Sequence, residues 1–210
     1  MISLDKLFSF VILMSRKYNI DSSHSESHSM DVLHYANDIY NSEVEMFPFL
    51  SKQLDVIYTS SVLHDMCDKK YMEPEEGLIR IQDFLSYEMK PIDLYYTKQI
   101  IETISYSKVK THGYPDLNNY QMAYHIVREA DLLSSYNFDR SIIYHMNKGN
   151  TLSESYLNAL ELFQNRVFNY NTNKLLISNR SMELSIPLTI KAVHRMNHWN
   201  NILLKNKIMK

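Results

Sequence analysis

The chain has 210 residues, 45% of them hydrophobic, and a formal net charge of −2, which is enough for one globular domain with a sizeable core. It has only 3 glycines where average usage would give about 15, and their wide spacing excludes the glycine-rich loops that cradle phosphate groups. The near-neutral charge argues against nucleic acid or a membrane surface as partners. The single cysteine, Cys67, cannot form an internal disulfide, which is typical of a reducing compartment. We therefore predict a cytoplasmic location, or the host cytoplasm if the Asn-, Tyr-, Ile- and Lys-rich composition reflects a viral origin.

Hydrophobic periodicity predicts an all-α fold without strands or internal repeats. The predicted helices span about 3–18, 24–41, 51–67, 74–88, 92–107, 118–134, a short one to 147, 153–168 and 181–205. Residues 108–117, which include Gly113 and Pro115, are predicted to form a loop, and 169–180 a loop or weak helix. We expect a single helical-bundle domain over 1–210. Its motif-bearing core would span about 20–145, with C-terminal helices 150–205 packed on it.

Three local patterns refine these boundaries. The apolar run Leu7–Met14 is too short to cross a bilayer and lacks a cleavage site, which favours a buried helix over a signal peptide. Ser23 and Glu26 have the spacing of a capping box at the start of the second helix. Pro187 predicts that the last helix starts late or is kinked.

Four polar side chains fall on the apolar stripes of three predicted helices: His28, His64, Asp65 and Asp131. Each has an ordinary alternative, since a lone histidine is often a hydrogen-bonded core residue and Asp131 could pair with Arg128 or Arg140. Together, two inward carboxylates and two inward imidazoles predict a divalent-cation site, because buried ionised carboxylates need a partner and this mixed donor set suits a metal.

These residues occur within four short segments: Ser23–Val32, Leu63–Tyr71 (LHDMCDKKY), Ile104–Lys108 (ISYSK) and Ile126–Leu133 (IVREADLL). Their order and spacing resemble the HD superfamily of metal-dependent phosphohydrolases, which are all-helical. The last three segments resemble the LHDxxDxKY, ISxSK and VxDADxL forms of the bacterial HD nucleotide pyrophosphohydrolases, with Glu129 where Asp is usual. The chain departs from this branch at Asp31, where Arg is common, and at Ser134–Arg140, which replaces a glycine-rich run. These departures leave the shape of the substrate pocket open.

The resemblance implies that His28, His64, Asp65 and Asp131 ligate one divalent metal ion, with Mn²⁺ or Mg²⁺ first and Fe or Co as alternatives. A second metal would need additional histidines before Asp131. His125 is six positions earlier on the same predicted helix and faces the opposite way, which favours a single ion.

The resemblance further implies a phosphohydrolase acting on a nucleotide or similar small phosphoester, with Asp68 as the catalytic acid or base. We predict His24, Lys70, Ser105 and Lys108 as substrate-binding residues, although each lysine could equally be a solvated surface residue. The alternative function is a catalytically weak nucleotide-sensing or protein-binding HD module, which the altered loop at 132–140 favours. The sequence leaves the oligomeric state open, a homodimer included.

Overall fold

Ten α-helices make up most of residues 2–208, the part of the chain that the computed structural model describes, with side chains as far as residue 205. The helices are α1 (Leu4–Tyr18), α2 (Glu26–Glu43), α3 (Leu54–Leu63), α4 (Pro74–Leu85), α5 (Pro91–Thr103), α6 (Tyr106–His112), α7 (Gln121–Ser134), α8 (Phe138–Asn147), α9 (Leu152–Asn165) and α10 (Asn179–Ile208). Short 3₁₀ helices lie at Pro48–Lys52, Asn118–Tyr120 and Val167–Asn169. The described residues contain no strand, so the all-α prediction is confirmed.

The chain divides into two compact units, Met1–Asp131 and Leu132–Lys210. The division falls within α7, directly after one of the predicted metal ligands. The predicted single domain, with its C-terminal helices packed on a core at 20–145, stays a prediction. No helix in the described part of the chain combines the length and apolarity needed to cross a membrane.

Helix α3 is the central element of the first unit, where it packs against α1, α2 and α5. Its residues from Val56 to Leu63 are buried apart from Tyr58, because an apolar sequence with small Ser and Thr residues can contact neighbours on every side. Helix α1 contributes Leu7, Val11 and Met14 to the core, as the buried-helix interpretation of this segment predicts.

Several predicted boundaries are wrong. Helix α2 begins at Glu26 rather than near residue 24, and Ser25, not Ser23, is its N-cap residue, so the predicted capping box does not form. Helix α3 ends at Leu63 instead of 67, and a turn follows. Part of the predicted loop at 108–117 is helical, because Ser105 caps α6 by accepting a hydrogen bond from the Lys108 N–H. Gly113, with φ of 77°, then ends that helix.

The second unit is built on α8 packed against α9, with α10 in contact with both. Thr151 and Glu154 form a true capping box at the start of α9. Helix α10 begins at Asn179, earlier than predicted, and continues through Pro187. The Asp139 carboxylate joins α8 to α10 by accepting hydrogen bonds from Arg195 and Trp199.

An ion pair in α7 is almost completely buried, with Arg128 2% and Glu129 0% exposed and 3.3 Å between Arg128 Nη2 and Glu129 Oε1. We expect Glu129→Gln to lower the free energy of unfolding by about 3–5 kcal/mol, because it leaves a buried guanidinium without its counter-charge. Urea denaturation measures this. The double variant Arg128→Met/Glu129→Leu, which removes both charges, should recover most of the loss, and a double variant as unstable as the single one would contradict this explanation.

Candidate metal centre

Three elements of the first unit bring the four predicted ligands together. His28 lies in the first turn of α2 on the face that also buries Val32 and Ala36. His64 and Asp65 follow directly after α3, where the chain turns away from the helix axis. Asp131 lies in α7. Because α3 packs against α2, the residues that follow α3 lie close to His28 in the first turn of α2.

The donor atoms of these residues converge on one small volume. His28 Nε2 lies 3.0 Å from His64 Nε2 and 3.2 Å from Asp65 Oδ2, and His64 Nε2 lies 3.4 Å from Asp65 Oδ2. Asp131 Oδ1 is 3.5 Å from His28 Nε2 and 3.7 Å from His64 Nε2. At metal–ligand distances of about 2.1 Å, neighbouring ligand atoms are separated by about 3.0 Å at right angles and about 3.4 Å in a tetrahedron. The donor atoms of His28, His64 and Asp65 therefore have the spacing of a metal coordination sphere, and Asp131 Oδ1 lies slightly farther out.

The hydrogen-bonding pattern also fits an ion. Asp65 Oδ2 is buried and accepts no well-directed hydrogen bond, although two imidazole nitrogens are within 3.4 Å of it. His64 Nδ1 lies 2.9 Å from the carbonyl oxygen of Ser61. A carbonyl can only accept, so Nδ1 carries the proton and Nε2 presents its lone pair to the cluster. The donor set of two nitrogens and two carboxylates suits a divalent cation.

Without a cation, the cluster holds a proton. Burial lowers the pKa of His64, but the Asp65 and Asp131 carboxylates outweigh this effect and raise it to about 9. Burial likewise disfavours the two carboxylate anions, yet the charge of His64 holds the pKa of Asp65 well below its usual range. The imidazoles of His28 and His64 lower the pKa of Asp131 to about 2. Strong negative potential at the imidazoles is the electrostatic property that a cation site requires.

The carboxylates of the cluster are more exposed than its imidazoles. The His28 and His64 side chains are each 2% exposed, whereas the Asp65 side chain is 16% and that of Asp131 24% exposed. The carboxylates thus border solvent while the imidazoles lie against the core.

His24 lies beside the cluster, with its ring centroid 6.1 Å from that of His28. The predicted helix at 24–41 would have included His24, but His24 precedes α2 and lies in the turn before it. Its ring is held by side chains instead. Nδ1 lies 2.7 Å from Ser23 Oγ and 3.0 Å from the Tyr71 hydroxyl, and Nε2 is 3.2 Å from Lys70 Nζ.

Asp21 and Tyr71 are site residues that the sequence analysis did not assign. Both the Tyr71 hydroxyl and Ser23 Oγ donate to the Asp21 carboxylate. Burial raises the pKa of Asp21, but these hydrogen bonds outweigh burial and lower it to about 2. Since both hydroxyls donate to Asp21, each can only accept from His24 Nδ1–H, so His24 Nε2 presents its lone pair to Lys70. Tyr71 is the last residue of the LHDMCDKKY segment, and its place in that segment is the one sequence feature that links it to the site.

Asp68 lies directly after the turn that carries Asp65. Its backbone N–H donates to the Asp65 carbonyl at 3.2 Å, so the two residues are one turn apart. The Asp68 carboxylate accepts from the Lys70 N–H at 2.9 Å and pairs with Lys70 Nζ at 3.2 Å. Lys70 is therefore shared between Asp68 and His24.

Ser105 and Lys108 are not joined to this group. Ser105 caps α6, and Lys108 Nζ donates to the Glu102 carbonyl oxygen. Neither side chain forms a hydrogen bond or ion pair with the four clustered residues within the described range. Their substrate-binding role stays a prediction without support from these contacts.

Comparison with known proteins gives a shared fold without a family. No family model matches the chain, and no match was found among curated proteins. A crystal structure of a Lactobacillus plantarum protein, a structural-genomics target, is similar to it with a TM-score of 0.70. The two are 18% identical, and the likeness covers 98% of this chain and 100% of that one. At this identity the likeness shows the fold alone, so membership of the HD superfamily stays a prediction.

His125 faces away from the cluster, as predicted. Gln121 Oε1 accepts from the Leu117 N–H at 3.0 Å, so the Gln121 amide NH₂ donates to His125 Nε2 at 3.1 Å. Its ring contacts those of Tyr114 and Tyr124. Burial, with the Arg128 charge, lowers the pKa of His125 to about 4.

This environment predicts an acid-sensitive contribution to stability. Between pH 6.5 and 4 the unfolded chain binds a proton at residue 125 that the folded protein does not. The contribution of His125 to the free energy of unfolding is therefore fully present above pH 6.5 and decreases as the pH falls through this window. Urea denaturation at pH 7.5 and 5 should show a smaller loss for His125→Gln than for the unchanged protein. The exposed His34→Gln variant is the control, and equal losses for all three proteins would refute the prediction.

Proposed function

We propose that this protein is a metal-dependent phosphohydrolase that acts on a nucleotide or a similar small phosphoester. The observation that carries the proposal is the convergence of residues from three separate elements. The donor atoms of His28, His64 and Asp65 lie 3.0–3.4 Å apart, and Asp131 Oδ1 lies 3.5 and 3.7 Å from the two imidazole nitrogens. The resemblance of the surrounding segments to the HD superfamily supports the reaction class. The fold likeness is compatible with it but carries no information on activity.

The four residues would hold one divalent ion, Mn²⁺ or Mg²⁺ first, with Fe or Co as alternatives. Such an ion, when bound, activates a water molecule and neutralises charge on a phosphoryl group. The Ser61 carbonyl orients the His64 ring for this task. The solvent-facing carboxylates of Asp65 and Asp131 leave the approach side open for a phosphate group.

Asp68 is the candidate general base. It is one turn beyond Asp65, half-buried, and its charge is balanced by Lys70 rather than by a buried partner. In hydrolysis, a water oxygen forms a new bond to phosphorus while the bond from phosphorus to the leaving oxygen breaks. The Asp68 carboxylate takes the proton that the water loses and then gives it to the leaving oxygen.

His24 and Lys70 are the candidate phosphate-binding groups. Lys70 Nζ is held between His24 Nε2 and Asp68 Oδ2, both at 3.2 Å, so a phosphate oxygen could replace either contact without moving the lysine far. Side chains must supply these donors, because the chain has no glycine-rich loop. The resemblance favours a nucleoside triphosphate with release of pyrophosphate, and a nucleoside monophosphate with release of phosphate is the rival.

A hydrolysis panel tests the proposal. The metal-stripped protein is incubated with ribo- and deoxyribonucleoside mono- and triphosphates in Mn²⁺, Mg²⁺, Co²⁺ or Fe²⁺, and phosphate and pyrophosphate are measured separately. We expect metal-dependent release of one of these products. Binding of metal and nucleotide, seen as a raised melting temperature, with no product from any substrate would favour the sensing module instead.

A further inference from the structure

One of the three glycines lies where there is no room for a side chain. Gly77 is buried in α4. A Cβ atom added to it would lie 2.6 Å from Cys67 Cβ, 2.7 Å from Cys67 Cα and 2.9 Å from the Met66 carbonyl oxygen. These contacts are well below van der Waals separation, and two of the three atoms belong to the backbone. An alanine at this position can therefore fit only if α4 and the segment at Met66–Cys67 move apart.

The backbone conformation of Gly77 does not itself require glycine. Gly113 and Gly149 have positive φ angles of 77° and 88°, whereas Gly77 does not fall in that region. Inside a helix, glycine is less favourable than alanine. The close approach of α4 to the neighbouring backbone is thus the only feature of this site that accounts for glycine here.

The segment that Gly77 contacts carries two of the four clustered ligands. The chain leaves α3 at Leu63 and turns through His64, Asp65, Met66 and Cys67. Outside the helix, this turn is held by the Met66 N–H bonded to the Leu63 carbonyl at 3.0 Å and by burial of the Met66 and Cys67 side chains. Moving the Met66 carbonyl away from α4 would therefore move the adjacent Asp65.

We propose that Gly77 is a positioning residue for the metal centre. By allowing α4 to pack directly on the turn, it sets where His64 and Asp65 lie relative to His28 and Asp131. The inference rests on the proposed function insofar as the cluster binds metal. The placement of the turn itself can be tested without metal.

The test is Gly77→Ala in the full chain, with Mn²⁺ affinity measured by calorimetry on metal-stripped protein. We expect at least about a tenfold loss of affinity, the usual size for a change in the groups that hold metal ligands in place. The matched control is Gly149→Ala in the second unit. Its added Cβ meets no atom within 4 Å, but its φ of 88° makes alanine strained, so it should lower the melting temperature and leave Mn²⁺ affinity unchanged.

A crystal structure of Gly77→Ala supplies a readout that does not need metal. We expect the backbone of residues 64–67 to shift by about 0.5 Å or more, enough to disturb a coordination geometry. Affinity within twofold of the unchanged protein, with the turn in place, would overturn the proposal. If the unchanged protein binds no Mn²⁺, the proposed function fails, and the position of the turn in this variant alone decides the role of Gly77.

A folding defect is covered by a second variant. Cys67→Gly/Gly77→Ala removes the 2.6 Å contact but keeps the 2.7 Å and 2.9 Å contacts with backbone atoms, so it should recover part of the folding stability and little of the Mn²⁺ affinity. If neither variant folds while Gly149→Ala does, Gly77 serves folding rather than ligand placement, and the proposal is rejected.

Discussion

Replacing His64 with alanine is expected to abolish metal binding and to lower kcat/KM for phosphoester hydrolysis by about 1,000-fold or more. A catalytic metal ion contributes several kcal/mol to stabilising the transition state, and each ~1.4 kcal/mol corresponds to a tenfold change in rate. His64 is a suitable residue for this test, because its Nε2 lies within 3.7 Å of donor atoms of His28, Asp65 and Asp131. Asp65→Ala should give the same result. Metal content by elemental analysis and steady-state kinetics measure both effects.

The control for His64→Ala is His34→Ala, since His34 is an exposed histidine of α2 outside the cluster. It should retain metal and activity. Circular dichroism and melting temperature show whether His64→Ala is folded. A folded His64→Ala protein with normal metal content and normal turnover would remove the basis of the proposed function.

Asp68→Asn is expected to lower kcat by about 100- to 10,000-fold while metal content stays close to that of the unchanged protein. A positioned general base contributes a factor of this size, and the amide has nearly the same shape as the carboxylate but cannot take a proton. The oxygen of the introduced amide can still accept the Lys70 N–H hydrogen bond, so the local turn should persist. Pre-steady-state and steady-state kinetics on the best substrate measure the effect.

Asp83→Asn is the matched control for this change, because Asp83 is an exposed aspartate of α4. Its activity should be unchanged. If Asp68→Asn retains kcat but raises KM, Asp68 helps to hold the substrate through Lys70, and its assignment as general base is wrong.

The part of the site that the sequence predicts consists of polar residues that interrupt apolar stripes. His28 continues the buried face of α2, so its inward direction follows from helical spacing. His64 and Asp65 lie in the turn after Leu63, so helical spacing does not account for their direction. Their proximity to Asp131 was inferred from the need of inward carboxylates for a partner and from the resemblance to a known family, not from spacing. The structure brings all four together, which no count of helical periods could establish.

The parts that could not be predicted depend on contacts distant in sequence. His24 is held by Tyr71, 47 positions away, and not by the helix that was expected to present it. Helix α3 ends at Leu63 although its apolar pattern continues. Gly77 packs closely on Cys67 in the turn that follows, and such a contact between distant residues cannot be read from the local pattern. The burial of the Arg128–Glu129 ion pair could not be predicted either, since adjacent charged residues in a helix are usually exposed to solvent.

The sequence contains signals for both ends of helix α6. Ser105 is followed three residues later by Lys108, whose N–H it caps, and Gly113 is a typical helix C-terminus. Together they define α6 within a segment that was predicted to be a loop. A helix of seven residues carries too little periodicity to be recognised without such terminal signals.

The most direct test of the central claim is a crystal structure of the protein grown with Mn²⁺, with anomalous diffraction recorded to locate the metal. We expect one strong anomalous peak about 2.1–2.3 Å from His28 Nε2, His64 Nε2 and carboxylate oxygens of Asp65 and Asp131. A structure in which Mn²⁺ binds only elsewhere, while these four side chains simply hydrogen-bond to one another, would contradict it.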